Sequence, residues 1–99
     1  MLSLTKRISA GDGNEFSFVM LEMDPHTLYV CESKYFKKVV LKEFKLDEIK
    51  YNFKKHGKRK FKLIIVDLDN NKHNYIVNSS DRNRLFSYFK KNCVGMFYL

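Results

Sequence analysis

Apolar and polar side chains alternate along most of this chain, and short clusters of turn-forming residues interrupt the alternation at regular intervals. After Val77 the period lengthens from two to that of a helix. This rhythm predicts antiparallel strands followed by one C-terminal helix. The turn clusters are Gly11-Asp12-Gly13-Asn14, Asp24-Pro25-His26, Lys55-His56-Gly57-Lys58 and Asp69-Asn70-Asn71-Lys72, built from residues that tolerate chain reversal.

Between those clusters the spacing predicts seven strands. Leu2, Leu4 and Ile8 alternate with Ser3, Thr5 and Arg7, and Phe16, Phe18 and Met20 follow after the Gly-rich turn, so the first two strands form a hairpin. Thr27 to Glu32 reads as a third strand. Val39 to Phe44 reads as a fourth, after a polar, aromatic-containing connection at 33–38. Ile49, Tyr51 and Phe53 alternate with Lys50, Asn52 and Lys54, a fifth strand whose solvent face is cationic. Phe61 to Leu68 is the most apolar strand, and His73 to Val77 closes a tight hairpin with it.

From Ser79 the chain reads SSDRNRLFSYFKKNC. Ser79 or Ser80 is the expected N-cap, and Asp81 in the first turn suits the positive end of a helix dipole. Leu85, Phe86, Phe89 and Cys93 fall on one stripe, with Arg82, Arg84, Lys90 and Lys91 off it or at its margin, which predicts an amphipathic helix of about three turns.

Length and composition narrow the classes. At 99 residues, 44% of them hydrophobic, the chain makes one folded domain, without room for the two lobes between which most metabolic enzymes hold a substrate. Nine Phe and six Tyr are too many for a disordered tail. No apolar run reaches the ~18 to 20 residues of a membrane-spanning helix, and the start lacks the apolar stretch of a secretory signal. The expected location is therefore intracellular: cytoplasmic, peripheral to a membrane, or nuclear. Cys31 and Cys93, far apart and outside any CxxC or Cys/His ligand spacing, are expected to be reduced.

The net charge is +8, and it is concentrated. Residues 1–33 hold two basic and five acidic side chains, residues 34–62 twelve and three, and residues 63–99 five and three. The middle third therefore sets the field, which favours encounter with anionic partners.

Seven short strands followed by one amphipathic helix resembles the layout of the pleckstrin-homology superfold. The resemblance is carried by Thr27 to Lys91: a strand, LKEFKLDEI leading into the fifth strand, the hairpin FKLIIVDLDNNKHNYIV, and the helix SSDRNRLFSYF. It implies a seven-stranded antiparallel sandwich or partly open barrel spanning residues 1–93, with Leu85, Phe86 and Phe89 of the helix plugging one end. It also implies a non-catalytic adaptor. The absence of tryptophan places the chain with divergent, GRAM-like or other PH-like branches. Phosphoinositide-binding members carry basic residues around the first hairpin. Here Lys6 and Arg7 are secondary candidates, preceding a loop whose Asp12 and Glu15 repel phosphates.

The densest candidate site is Lys54, Lys55, Lys58, Arg59 and Lys60, five cations in seven positions at the turn between strands five and six. Several ammonium groups and a guanidinium on a short hairpin converge on one solvent volume, where they can hold phosphates or carboxylates; a solvated, edge-protecting tip is the plainer alternative. Lys37 and Lys38 are candidate additions to this basic face, and Lys34, Lys42, Lys45 and Lys50 extend it. The aromatic pair Tyr35 and Phe36 between lysines suits a membrane interface or base stacking, although an anchor from the loop into the core is the expected use.

His26, His56 and His73 are isolated, so no metal or other cofactor is expected. The close carboxylates Asp67 with Asp69 and Asp47 with Glu48 sit at bends, and no nucleophile elbow or Gly-rich phosphate loop is present, so catalysis is not expected. The apolar tail 94–99 can pack on the domain, pair with a second copy, or continue into a larger protein. The functional expectation is a binding module that recruits an acidic protein or peptide, or a phosphoinositide-containing membrane, through its basic face. The alternative is a nucleic-acid-binding module that uses the same cations with Tyr35 and Phe36 as stacking groups.

Overall fold

In a computed structural model the chain is described for residues 6–12 and 18–98. Leu2, Leu4, Glu15 and Phe16 lie outside the described residues, as do the side chains of Lys6, Arg7 and Asp12. The strands are β1 (Lys6–Asp12), β2 (Phe18–Met23), β3 (Thr27–Lys34), β4 (Lys37–Lys45), β5 (Lys50–Lys55), β6 (Lys60–Val66) and β7 (Lys72–Asn78). The helix α1 (Ser79–Lys91) follows, then a two-residue β8 (Gly95–Met96). The chain is thus mainly β with one C-terminal helix.

The strands form one ladder in the order β4-β3-β2-β1-β7-β6-β5-β8. All pairs are antiparallel except β5 with β8. β1 is the seam: Lys6 to Gly11 pair with β2, whereas only Gly11 and Asp12 reach β7. Val19, Leu21, Leu28 and Val30 from one half share a core with Leu63, Ile65, Tyr75 and Val77 from the other, so the ladder folds over at β1. It stays open, ending on β4 at one edge and β8 at the other among the described residues.

The helix covers this core as its stripe requires. Leu85 and Phe89 are fully buried, worth about 1.5–3 kcal/mol each, and the Phe89 ring lies 4.4 Å from that of Tyr51. The Tyr88 hydroxyl donates to the carbonyls of Asp24 at 2.6 Å and Thr27 at 3.1 Å, tying the helix to the β2–β3 turn. Among the described residues no helix is long and apolar enough to cross a membrane.

Several local expectations change. The N-cap is Asn78, whose side chain accepts from the Asp81 amide at 2.8 Å, because β7 runs on to Asn78 before the helix begins. Cys93 is exposed rather than on the buried stripe, since the helix stops at Lys91 and Cys93 turns the chain with φ 57°. β6 ends at Val66, and Leu68 is exposed in the following turn. The eighth strand was not legible in the sequence. Val94 is buried, Gly95 and Met96 pair with Lys50 and Tyr51, and the Asn52 side chain donates to the Phe97 carbonyl at 2.6 Å. Residues 94–97 are therefore tied to the domain, while Tyr98 is fully exposed.

Candidate functional site

Strand alternation decides where the cations stand. Tyr51 and Phe53 of β5, Leu63 and Ile65 of β6, and Tyr75 and Val77 of β7 point at the core. Their neighbours Lys50, Lys54, Lys60, Lys62 and Lys72 therefore occupy the opposite, outer face. None of these three strands contains an Asp or Glu. Register places Lys54 directly across from Lys62, a like-charge pair about 5 Å apart at Cβ that disfavours the ladder locally.

The turn beyond them adds Lys55, Lys58 and Arg59. Lys54, Lys55, Lys58, Arg59 and Lys60 are all exposed. The salt bridges among the described residues are Lys38–Glu22, His73–Asp67 and Arg84–Asp81, none of which involves them. Gly57 at φ +76° and Arg59 at φ 58° both take left-handed steps in the turn, and the His56 amide donates to the Lys60 carbonyl at 2.9 Å.

The helix braces this hairpin from beneath. The Ser79 amide donates to the Arg59 carbonyl at 3.0 Å. The Arg82 guanidinium carbon lies 5.5 Å from the Phe53 ring centre and 5.2 Å from those of Phe61 and Phe86. Arg82, expected off the apolar stripe, is instead half-buried in an aromatic cage; its spacing of four from Phe86 was the available signal. Burial raises the Tyr51 phenol above its ordinary pKa, with Arg82 opposing.

The second candidate region lies elsewhere. Alternation along the antiparallel ladder puts the β3–β4 turn at one end and the β5–β6 turn at the other, so Lys37 and Tyr35–Phe36 are not neighbours of Lys58 and Arg59. Lys34 pairs with Lys37, leaving a two-residue turn of Tyr35 at φ 50° and Phe36 at φ 62°. The long connection expected at 33–38 is absent, and neither ring anchors in the core: Tyr35 is 83% and Phe36 108% exposed. A two-residue turn is too short to reach back over the sheet. Lys38, by contrast, is committed to the buried Glu22 of β2 at 2.8 Å.

A third feature is a groove of about 250 Å³ between β4 and the β6–β7 turn, lined by Lys42, Phe44, Lys45, Ile49, Leu68 and His73 among others. His73 is half-buried at the rim of this groove. Lys42 Nζ lies 2.8 Å from its Nδ1, and its Nε2 lies 2.9 Å from Asp67 Oδ2. An ammonium can only donate, so Nδ1 accepts and Nε2–H donates to Asp67. That bond, with the amides of Asn71 and Asp69, holds the Asp67 carboxyl below its ordinary pKa against slight desolvation. These contacts lock the turn to the β4 edge. Among the described residues no group of three His, Cys, Asp or Glu side chains is placed to hold a metal ion.

No family model matches the chain, and no curated protein matches it. A solved structure of Vav1 inhibited by an allosteric inhibitor is similar over 91% of this chain, with a TM-score of 0.65 and 6% identity. At that identity the likeness is one of fold alone. The chain spans about a quarter of that protein, 26% of its length.

Proposed function

We propose that this chain is a non-catalytic, PH-like binding module that recruits an anionic partner, an acidic protein segment or an anionic membrane surface, on its β5–β6 hairpin. The observation that carries the reading is the set of five exposed cations, Lys54, Lys55, Lys58, Arg59 and Lys60, outside every ion pair among the described residues. The like-charged Lys54–Lys62 pair behind them adds support, because an arrangement that disfavours the free protein is relieved when an anion neutralises it. A rigid base also favours recruitment. The Arg59 carbonyl is bonded to α1, so the tip loses less freedom on binding than a free loop would.

The test is co-sedimentation with vesicles with and without phosphoinositides, across a salt series and beside a DNA competitor, together with titration of an acidic peptide. K58E/R59E should weaken binding about tenfold and leave thermal stability unchanged. Normal binding by the folded double variant would sink the reading. Binding of DNA in preference to vesicles and peptide would assign the same cations to nucleic acid, with a steep log-log salt slope.

A further inference from the structure

The edge strand β4 carries a second surface, independent of the cationic hairpin. From Lys37 to Glu43 seven consecutive residues are exposed. Val39, Val40 and Leu41 among them are 39%, 45% and 47% exposed, and their side chains alternate between both sides of the strand. No strand beyond β4 pairs with it among the described residues, so its outward N–H and C=O groups form an open template. At the end of the same arm stand Tyr35 and Phe36, two bulky residues in left-handed backbone conformation with their rings in solvent. Asn-Gly is the pair that suits such a turn. Strain and exposed aromatic surface at one point are costly features to keep together.

We propose that the outer edge of β4, with the Tyr35–Phe36 tip, docks an acidic extended segment of a partner protein by strand addition. Three observations select this occupant. β4 carries four lysines against one glutamate, and Lys37 and Lys45 are outside the ion pairs of the described residues, so the edge attracts carboxylates. The same charge disfavours a second copy, since two edges that each carry four lysines against one glutamate repel one another. A lipid surface can take the aromatic tip, but it offers no hydrogen bonds to the strand's free backbone groups, whereas an extended peptide offers both backbone bonds and apolar side chains for Val39 and Val40.

The register limits the docking length. Val30 pairs with Lys42 and Cys31 with Val40, so Leu41 is an extra residue that kinks the edge. The added strand therefore pairs along Lys37 to Val40, next to the aromatic tip, and does not run the full length of β4.

The experiment is fluorescence anisotropy with a labelled short peptide alternating glutamate and valine, alongside versions N-methylated at the odd or the even positions. Saturable binding is expected, with a loss of about tenfold or more when the bonded set of amides is methylated. The variant Y35N/F36G, which places favoured residues in the turn, should raise the melting temperature and weaken the peptide about tenfold. K58E/R59E should change affinity less than about twofold, beyond a uniform salt-sensitive offset. Loss of binding in K58E/R59E alone would move the peptide to the β5–β6 hairpin and overturn this proposal while upholding the proposed function. Indifference to methylation, no saturable binding, or a concentration-dependent dimer that the peptide does not dissociate would each overturn it as well.

Discussion

The β3–β4 and β5–β6 hairpins are built from the same element and sit at opposite ends of one ladder, yet they meet solvent in different ways. The β5–β6 tip takes left-handed steps at Gly57 and Arg59, is bonded to the helix through Arg59 and Ser79, and rests on the Arg82 cage. The β3–β4 tip puts Tyr35 and Phe36 where small residues belong, with its rings exposed. A braced hairpin can carry many like charges, because its backbone is held by contacts that do not depend on them. A strained one with exposed rings leans on the strands behind it, including the Lys38–Glu22 tie to β2.

The most disruptive way to break this contrast is to remove the brace. Phe89→Ala should cost about 3–5 kcal/mol, read from the denaturant midpoint, with amide exchange accelerating in β5 and β6 ahead of β3 and β4. Equal acceleration in both hairpins would deny the helix a selective role. Relieving the strained tip acts in the other direction. Y35N/F36G should stabilise the fold by about 2 kcal/mol, and a fall in stability would mean that the rings contribute contacts that outweigh the strain.

Tyr88 ties the helix to the β2–β3 turn, so Tyr88→Phe should cost about 1 kcal/mol. Burial, with Asp24 and Tyr29 adding to it, pushes the Tyr88 phenol well above its ordinary value of about 10. Its folded form thus holds the proton more tightly than the unfolded chain. The stability this confers is complete below pH 10 and falls as pH rises beyond it, and Tyr88→Phe should flatten that alkaline loss in a melt series. At the acid end Asp24 acts with the opposite sign. Burial opposes its ionisation, but the amides of His26 and Thr27 and the Tyr29 hydroxyl outweigh it and hold the carboxyl below its ordinary value. Its contribution is lost as pH falls below about 4.

The smallest change sharpens the electrostatic half of the contrast. Lys62→Glu turns the Lys54 cross-strand repulsion into attraction and should add about 0.2–1 kcal/mol in thermal melts while weakening the anionic partner. Unchanged stability would show that solvent already screens the pair.

Much of the fold was legible because its signals are local. The alternation through Tyr51 and Phe53 and the apolar run of β6 identify strands, and Leu85 with Phe89 identifies the buried side of α1. The cap was missed by one residue, since Asn78, Ser79 and Ser80 are all competent acceptors and only the end of β7 selects among them. β8 was missed because two residues have no period. Tyr35 or Phe36 was expected to anchor the loop in the core on hydrophobicity, an average tendency that a two-residue turn overrides.

The candidate site divides in the same way. The concentration of charge in residues 34–62 and the clustering of Lys54 to Lys60 are properties of the chain itself, and they hold whatever the fold. Only the tertiary structure set Lys54 across from Lys62, placed Arg82 among Phe53, Phe61 and Phe86, and sent the aromatic and cationic tips to opposite ends. Periodicity and composition are written within a few residues, whereas register and edge position depend on strands paired from far apart in the chain. Local chemistry therefore determined which elements form and which segments are basic, and long-range pairing decided which side chains meet.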